Sequence, residues 1–255
     1  LAGTNIGDIG RISLSANWMA AAGHPGEDQH LYDTVKAVGM ELCPALGINI
    51  PVGKDSLSMR TIWQEKGIEK SVISPVSLII TAITPVKDVR KTVTPELKNQ
   101  PDSTILLVDL GGGKNRLGGS ALAQVYGQIG QSAPDIDDAA LLGGFFKATQ
   151  TLVEEELLLA YHDRSDGGLF TTVAEMAFAG RKGVDLLMDC FAGDHEEVLA
   201  ALFSEEAGAV IQVANEHVEA VKAAYAHAGL EAHLHHVGEL NNDDAVRVRL
   251  GGGLT

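Results

Sequence analysis

Residues that could do chemistry concentrate in His162-Asp163-Arg164-Ser165-Asp166-Gly167-Gly168-Leu169, which packs two carboxylates, a hydroxyl and two glycines into eight positions. The run before it, 157–161, is apolar and predicts a buried strand; the stretch after it, 170–179, predicts an amphipathic helix. Glycines let a backbone approach a bulky anion, and a helix start offers free N–H groups and the positive end of a dipole. Asp163 and Asp166 would repel bare phosphate, but Mg²⁺ binds one or two carboxylates together with phosphate oxygens. Two readings stay open on these residues alone. One is a nucleotide and Mg²⁺ site; the other is an ordinary strand-to-helix turn with Ser165 or Asp166 as the N-cap.

A second candidate is Gly53-Lys54-Asp55-Ser56-Leu57-Ser58-Met59, read as a loop after the strand-like run 48–52. Lys54 supplies a compact cation for phosphate, and Ser56 and Ser58 supply hydroxyls. The P-loop pattern fails, because Ile48 stands where its upstream glycine belongs and Asp55 where Ser or Thr should follow the lysine. A polar loop with no ligand is the alternative. The Gly-rich 111–120 stretch, with Lys114 and Arg116, is either a third phosphate cradle or a surface turn. His233 and His235 would share one face of a strand, and without a nearby Cys or carboxylate to complete a tetrahedral site they read as a solvated face.

The elements that must hold these residues change character along the chain. The spacing of Ile12, Leu14, Trp18, Met19 and Ala22 predicts a helix ending near Gly23. A longer helix is predicted from about Glu27 to Cys43, with Leu31, Val35, Val38 and Leu42 as its apolar stripe and Pro44 and Gly47 ending it. Residues 72–86 are apolar and β-branched, predicting strand bent near Pro75. The polar, proline-bounded stretch 94–101 is the best linker candidate. Beyond it strands are predicted at 104–110, 157–161, 183–188 and 208–213 and near 233–238 and 245–249. Helices are predicted from about 121 and at 137–156, 169–180, 194–203 and 215–228. This alternation predicts an α/β layer domain from about residue 102.

Composition bounds the function. The chain has 255 residues, 45% hydrophobic and 21% charged, enough for one large or two ordinary globular domains. Its net charge of −15 argues against a nucleic-acid partner, which needs a basic footprint. No apolar run reaches the roughly 18 residues of a membrane span. Two cysteines, Cys43 and Cys190, are too few for a disulfide scaffold and both read as core residues. They suggest a reducing compartment, and a cytoplasmic location is expected. The chain opens on Leu1 in mid-pattern, so it reads as a piece of a longer polypeptide.

Taken together the motifs resemble the large single-chain phosphoribosylformylglycinamidine synthase family of purine biosynthesis. The resemblance rests on Gly7-Asp8-Ile9, on Ser15-Ala16-Asn17-Trp18-Met19, on Gly23-His24-Pro25-Gly26-Glu27-Asp28, and above all on GKDSLSM and HDRSDGG in this order about 100 residues apart. It implies the aminoimidazole ribonucleotide synthetase-like fold, α/β with an α+β first part. Residues 1–100 would be a partial N-terminal domain of the second of two tandem copies, and 101–255 its C-terminal α/β domain. It implies a carbon–nitrogen ligase converting formylglycinamide ribonucleotide, ATP and glutamine to the amidine. The amide oxygen is phosphorylated and ammonia displaces the phosphate, chemistry that rests on positioning and on neutralising phosphate charge.

By the same resemblance Gly53 lies near ATP, Ser56 near the ribonucleotide, and Lys54 on phosphate, where small-form relatives carry an Asn metal ligand. Asp163 resembles a Mg²⁺ ligand and Ser165 a nucleotide contact of an auxiliary ATP/ADP site. The implied partners are the remainder of the parent chain, that is the first synthetase copy and the glutaminase domain, with small-molecule substrates and neither nucleic acid nor membrane. The piece alone is expected to be inactive. The alternatives are a structural, nucleotide-holding half without turnover and a related ATP-dependent synthetase such as aminoimidazole ribonucleotide synthetase.

Overall fold

A computed structural model describes residues 1–191, 195–250 and 253–254. It resolves two units, Asp8–Pro85 and the pair of segments Leu1–Gly7 and Val86–Thr255.

The unit Asp8–Pro85 runs through β1 (Ser13–Met19), α1 (Glu27–Lys36), a wider π turn at Ala37–Leu42, α2 (Cys43–Leu46), β2 (Asn49–Ser56), β3 (Arg60–Glu65), β4 (Ile68–Ile73) and β5 (Ser77–Ile83). In one sheet β1 is central, with β2 parallel on one side and β5 antiparallel on the other. The helix expected over 12–22 is therefore a strand. Leu14 and Ala16 are buried on one face at a spacing of two, and a short apolar run fits either period until its neighbours decide. The helix from Glu27 continues past Cys43, because Pro44 sits in the first turn of α2, where an N–H is not needed. Gly47 ends it in the left-handed conformation at φ 68°. The expected stripe Leu31, Val35, Val38 and Leu42 is not buried. The 72–86 run is split at Pro75: β4 closes a hairpin with β3, and β5 joins the other sheet.

The larger unit runs through β6 (Ser103–Asp109), α3 (Ala121–Val125), α4 (Ala139–Glu154), β7 (Ala160–Asp163), α5 (Gly168–Gly180), β8 (Gly183–Leu187), α6 (His195–Phe203), β9 (Gly208–Ala214), α7 (Val218–His227), β10 (Leu234–Asn241), β11 (Val246–Leu250) and β12 (Gly253–Leu254). The predicted strand–helix alternation is present. Its sheet has the order β12-β11-β8-β10-β6-β9-β7, antiparallel except for the β8–β11 pair. The strand expected at 157–161 begins only at Ala160 and carries His162 and Asp163 into the sheet. The preceding leucines lead into the strand, and Leu158 is buried without joining it.

Both faces of this sheet are covered. On one, Leu169, Val173 and Met176 of α5 and Val198, Ala201 and Leu202 of α6 pack on Ile105, Leu107, Leu186 and Val210. By strand alternation Leu106, Val108, Ile211 and Val213 face the other side, where α7 packs on β9 and α4 stacks Phe145 on Tyr225. Leu97, inside the proline-bounded stretch, is 2% exposed and belongs to the first of these clusters. The backbone of Lys98 is bonded at N–H and C=O by the Gln212 amide, at 2.8 and 3.0 Å. Gln150 of α4 holds the first residues in the same way. Its Oε1 accepts from Ile6 and Gly7, and its Nε2 donates to the carbonyls of Ala2 and Thr4.

Candidate functional site

In the larger unit the ends of β6 and β7 meet the start of β9. Asp109 pairs with Gly208 and Asp163 with Ala209, so the 111–120 turn and the HDRSDGG turn leave the sheet at the same end. Beneath them lies a buried charged network. Arg164, its side chain 1% exposed, donates to Asp109 Oδ1 at 2.5 Å and to the carbonyls of Glu206 and Ala207 at 2.6 and 3.0 Å. Asp109 also accepts from the amides of Gly111 and Gly113 at 3.1 and 2.7 Å. Burial pushes this carboxyl up, but the Arg164 guanidinium and the two amides outweigh it and hold it below the ordinary value. Glu206, its side chain fully buried, takes Arg116 by Nε and Nη2 at 2.6 and 2.8 Å, and Arg116 reaches on to Asp137. The Glu206 bond, the largest influence, raises the guanidinium above its usual value.

Above this network the turn is shaped by its glycines. Gly167 stands at the N-cap of α5 with φ 81° and no side-chain cap, so neither Ser165 nor Asp166 is the cap. Its N–H donates instead to Glu205 Oε1 at 2.8 Å, and the same oxygen accepts from Ala121 N–H at 2.8 Å. Glu205 thereby ties the Gly-rich turn to the HDRSDGG turn. A Cβ on Gly168, at φ 68°, would lie 2.7 Å from the Phe203 carbonyl carbon and the Ser204 oxygen, so only glycine lets α5 start this close to the end of α6. Asp163, Ser165 and Asp166 remain exposed on the outer surface of the turn. Tyr161 donates to Asp163 Oδ1 at 2.5 Å, and burial, with the Asp163 charge, pushes the phenol well above its usual value. On the other face of β7, His162 lies 2.8 Å from Glu175 Oε2.

Gly53, Lys54 and Ser56 belong to the other unit. They lie in β2 rather than in a loop, opposite Ala16, Asn17 and Met19 of β1. The strand expected at 48–52 thus runs on to Ser56, an extension that went unforeseen because its partner β1 reads as a helix in sequence. β2 is an edge strand and almost wholly exposed, which is where a sheet tolerates a Gly-Lys-Asp-Ser run. Lys54 and Ser56, two apart, share one face of it. Leu57 and Met59 flank a bridge of Ser58 to Ala21.

The histidines do not share a strand face. Glu231–His233 is a short 3₁₀ turn, and β10 begins only at Leu234. His233 Nδ1 meets the Asp109 carbonyl at 2.6 Å, while His235 packs against Phe191, with ring centroids 5.6 Å apart and planes tilted by 45°, and is pushed down by burial. Cys43 is buried as expected and its thiol is pushed up by burial. Cys190 is exposed rather than core, because it falls in a 3₁₀ turn after β8; partial burial of its sulfur pushes the thiol up to about 11. Neither is an activated thiol. Among the described residues no group of three or more His, Cys, Asp or Glu is arranged to hold a metal ion, and no helix is long and apolar enough to cross a membrane. Sequence reasoning missed Asp109, Glu205 and Glu206. The signal available was the adjacent pair Glu205-Glu206 before an apolar strand, with Arg116 and Arg164 in the two motifs as its counter-charges.

An antiparallel-rich sheet covered on both faces, with two Gly- and Asp-bearing turns at one end, defines the larger unit as a mixed α/β domain; the smaller unit is built of strands and helices. The family model of the AIR synthase related protein, C-terminal domain, matches residues 100–251, and that of the FGAR-AT PurM_N-like domain matches residues 1–85. The first match covers more than half of the chain, which belongs to the AIR synthase related family. Solved structures share the fold. PurLQS from Thermotoga maritima matches with a TM-score of 0.67 at 15% identity over 100% of this chain and 40% of its own. T. maritima PurL complexed with ATP matches at 0.63 and 15%, over 97% of this chain and 37% of that one. E. coli HypE, a hydrogenase maturation protein, matches at 0.65 and 19%, over 100% and 78%. The chain thus spans well under half of the PurL chains.

Proposed function

We propose that the chain is part of the ATP-dependent ligase that forms formylglycinamidine ribonucleotide from formylglycinamide ribonucleotide, with glutamine as the nitrogen donor. The observation that carries this reading is the FGAR-AT PurM_N-like match over residues 1–85, the segment that contains GKDSLSM. In this reading residues 1–100 form a partial N-terminal domain and 101–255 the C-terminal α/β domain of a second synthetase copy. The first copy and a glutaminase domain are its partners, in the cytoplasm. Lys54 and Ser56, on one face of an exposed strand, offer a cation to phosphate and a hydroxyl to the ribonucleotide. Gly53 presents a bare stretch of backbone to ATP, since a Cβ there would meet nothing within 4 Å.

Asp163 and Ser165 belong to an auxiliary nucleotide site with a mainly structural duty. The residues fit Mg²⁺ in one specific way. Asp163 is a single exposed carboxylate at a strand end, and Mg²⁺ keeps several waters and takes only one or two carboxylates beside phosphate oxygens. The bound ion would neutralise phosphate charge. Asp163 would hold it, Ser165 would contact the nucleotide, and the Arg164 network would keep the turn in shape.

A second reading, a relative acting on another substrate, rests on the fold shared with E. coli HypE, which aligns over 100% of this chain with a TM-score of 0.65. The test is to incubate the complete protein with formylglycinamide ribonucleotide, Mg²⁺-ATP and glutamine or ammonia, and to follow ADP release and amidine formation. Turnover that depends on the ribonucleotide supports the first reading. ATP hydrolysis indifferent to it, with no amidine, refutes it.

A further inference from the structure

We propose that Tyr161 is a positioning residue for Asp163, fixing one oxygen of its carboxylate and leaving the second for a hard cation; this rests on the reading of Asp163 as a metal ligand. Tyr161 and Asp163 are two apart on β7 and share a face of the strand. The phenol donates to Asp163 Oδ1 at 2.5 Å. The donor is buried, the acceptor exposed. Tyr161 is anchored by its N–H on the Thr94 carbonyl at 3.0 Å and by the 160–163 pairing with β9. Gly3 lies so close to the ring that a Cβ there would stand 2.7 Å from Cδ1.

An exposed aspartate at a strand tip ordinarily samples several rotamers, and a cation that binds it must freeze them. Here one carboxylate oxygen is already held by a buried donor whose backbone is anchored on both sides. One oxygen is occupied by a neutral donor, which suits monodentate ligation of a cation that otherwise keeps water and phosphate oxygens. Hydrogen bonds to a ligating carboxylate commonly carry a 10- to 100-fold share of metal affinity, roughly, when removed. Phenylalanine would fill the same space, so packing alone does not call for the hydroxyl.

The test uses the complete protein stripped of metal, with Mn²⁺ as the probe, followed by electron paramagnetic resonance in the presence of ADP. Wild type, Tyr161→Phe and Asp163→Asn are compared, together with metal-free melting and metal-free ADP affinity. The expected result is Mn²⁺ binding weakened about tenfold in Tyr161→Phe and lost in Asp163→Asn, with metal-free melting and ADP affinity of Tyr161→Phe unchanged. Wild-type Mn²⁺ affinity in Tyr161→Phe, with loss only in Asp163→Asn, overturns the positioning role and leaves the ligand reading standing. Wild-type affinity in Asp163→Asn removes the ligand reading and the proposal with it. A Tyr161→Phe protein that loses metal-free stability and ADP affinity in step with Mn²⁺ shows a structural residue and also overturns the proposal.

Discussion

Replacing Arg164 by Met tests the buried network under both turns. The variant keeps a long apolar side chain but removes the donors to Asp109, Glu206 and Ala207. Asp109, 1% exposed, is left with the Gly111 and Gly113 amides and no counter-charge. Breaking one partner of a buried pair costs about 3–5 kcal/mol; the Glu206 carbonyl loses its donor while that of Ala207 keeps the Leu110 N–H, which places this case near the middle, at about 4 kcal/mol. Against an ordinary domain stability of roughly 5–15 kcal/mol that is a large share.

The pH dependence has a definite sign. In the wild type the Asp109 carboxyl lies below its ordinary 3.8, so its contribution is present above that value and is lost as pH falls through the lower folded one. In Arg164→Met burial is no longer offset by the guanidinium and raises the carboxyl relative to the wild type, so the stability gap should narrow as pH falls and Asp109 takes up a proton. Adding Asp109→Asn should recover part of the loss. Trp18 and Trp63 both lie in the smaller unit, so fluorescence would miss the event. Amide hydrogen exchange on β6 and β9 in urea reads it. An unchanged opening energy, or a deficit that does not vary with pH, would refute the reasoning.

Three further outcomes are expected. Gly168→Ala, forced to φ 68° and against the Phe203 and Ser204 backbone, should cost about 3 kcal/mol or more and displace the start of α5, seen as a lower melting temperature and faster exchange at Leu169. Gln150→Leu removes four hydrogen bonds to residues 2–7 and should free that segment; the Ile6 and Gly7 amides should exchange faster while β9 stays protected, and equal loss at both places would contradict a local anchor. The chain 1–255 alone should form no amidine with ammonia and hydrolyse no glutamine; detectable turnover would contradict the partial-site reading.

The α/β half was legible because its strands are buried on both faces and read as apolar runs between helices. β6 and β9 carry almost no polar residue inside, so their pattern survives without knowledge of partners. The first half was legible in part: the helix from Glu27, the strand at 48–52 and the strand segments either side of Pro75 are present. But β1 and the extension of β2 to Ser56 are recognisable only as a ladder, because Ser13–Met19 satisfies a helical spacing as well as an alternating one. The HDRSDGG turn was visible in place and type, but its cap was not. The competing bond from Gly167 to Glu205 comes from 38 residues away, and no local rule reports it. Asp109 was hidden for the same reason, since a carboxylate ending an apolar strand looks like any turn residue until Arg164 is found against it.

The division of labour between the two motifs is tested most directly by comparing Ser56→Ala and Asp163→Ala in the complete protein, by steady-state kinetics with the ribonucleotide and by thermal melting. The account predicts that Ser56→Ala lowers kcat/KM for the ribonucleotide with little change in Tm. Asp163→Ala should lose bound metal and retained nucleotide and melt lower, because a ligand bound only to the folded state stabilises it by mass action. Unchanged melting in Asp163→Ala together with a lowered Tm in Ser56→Ala would contradict it.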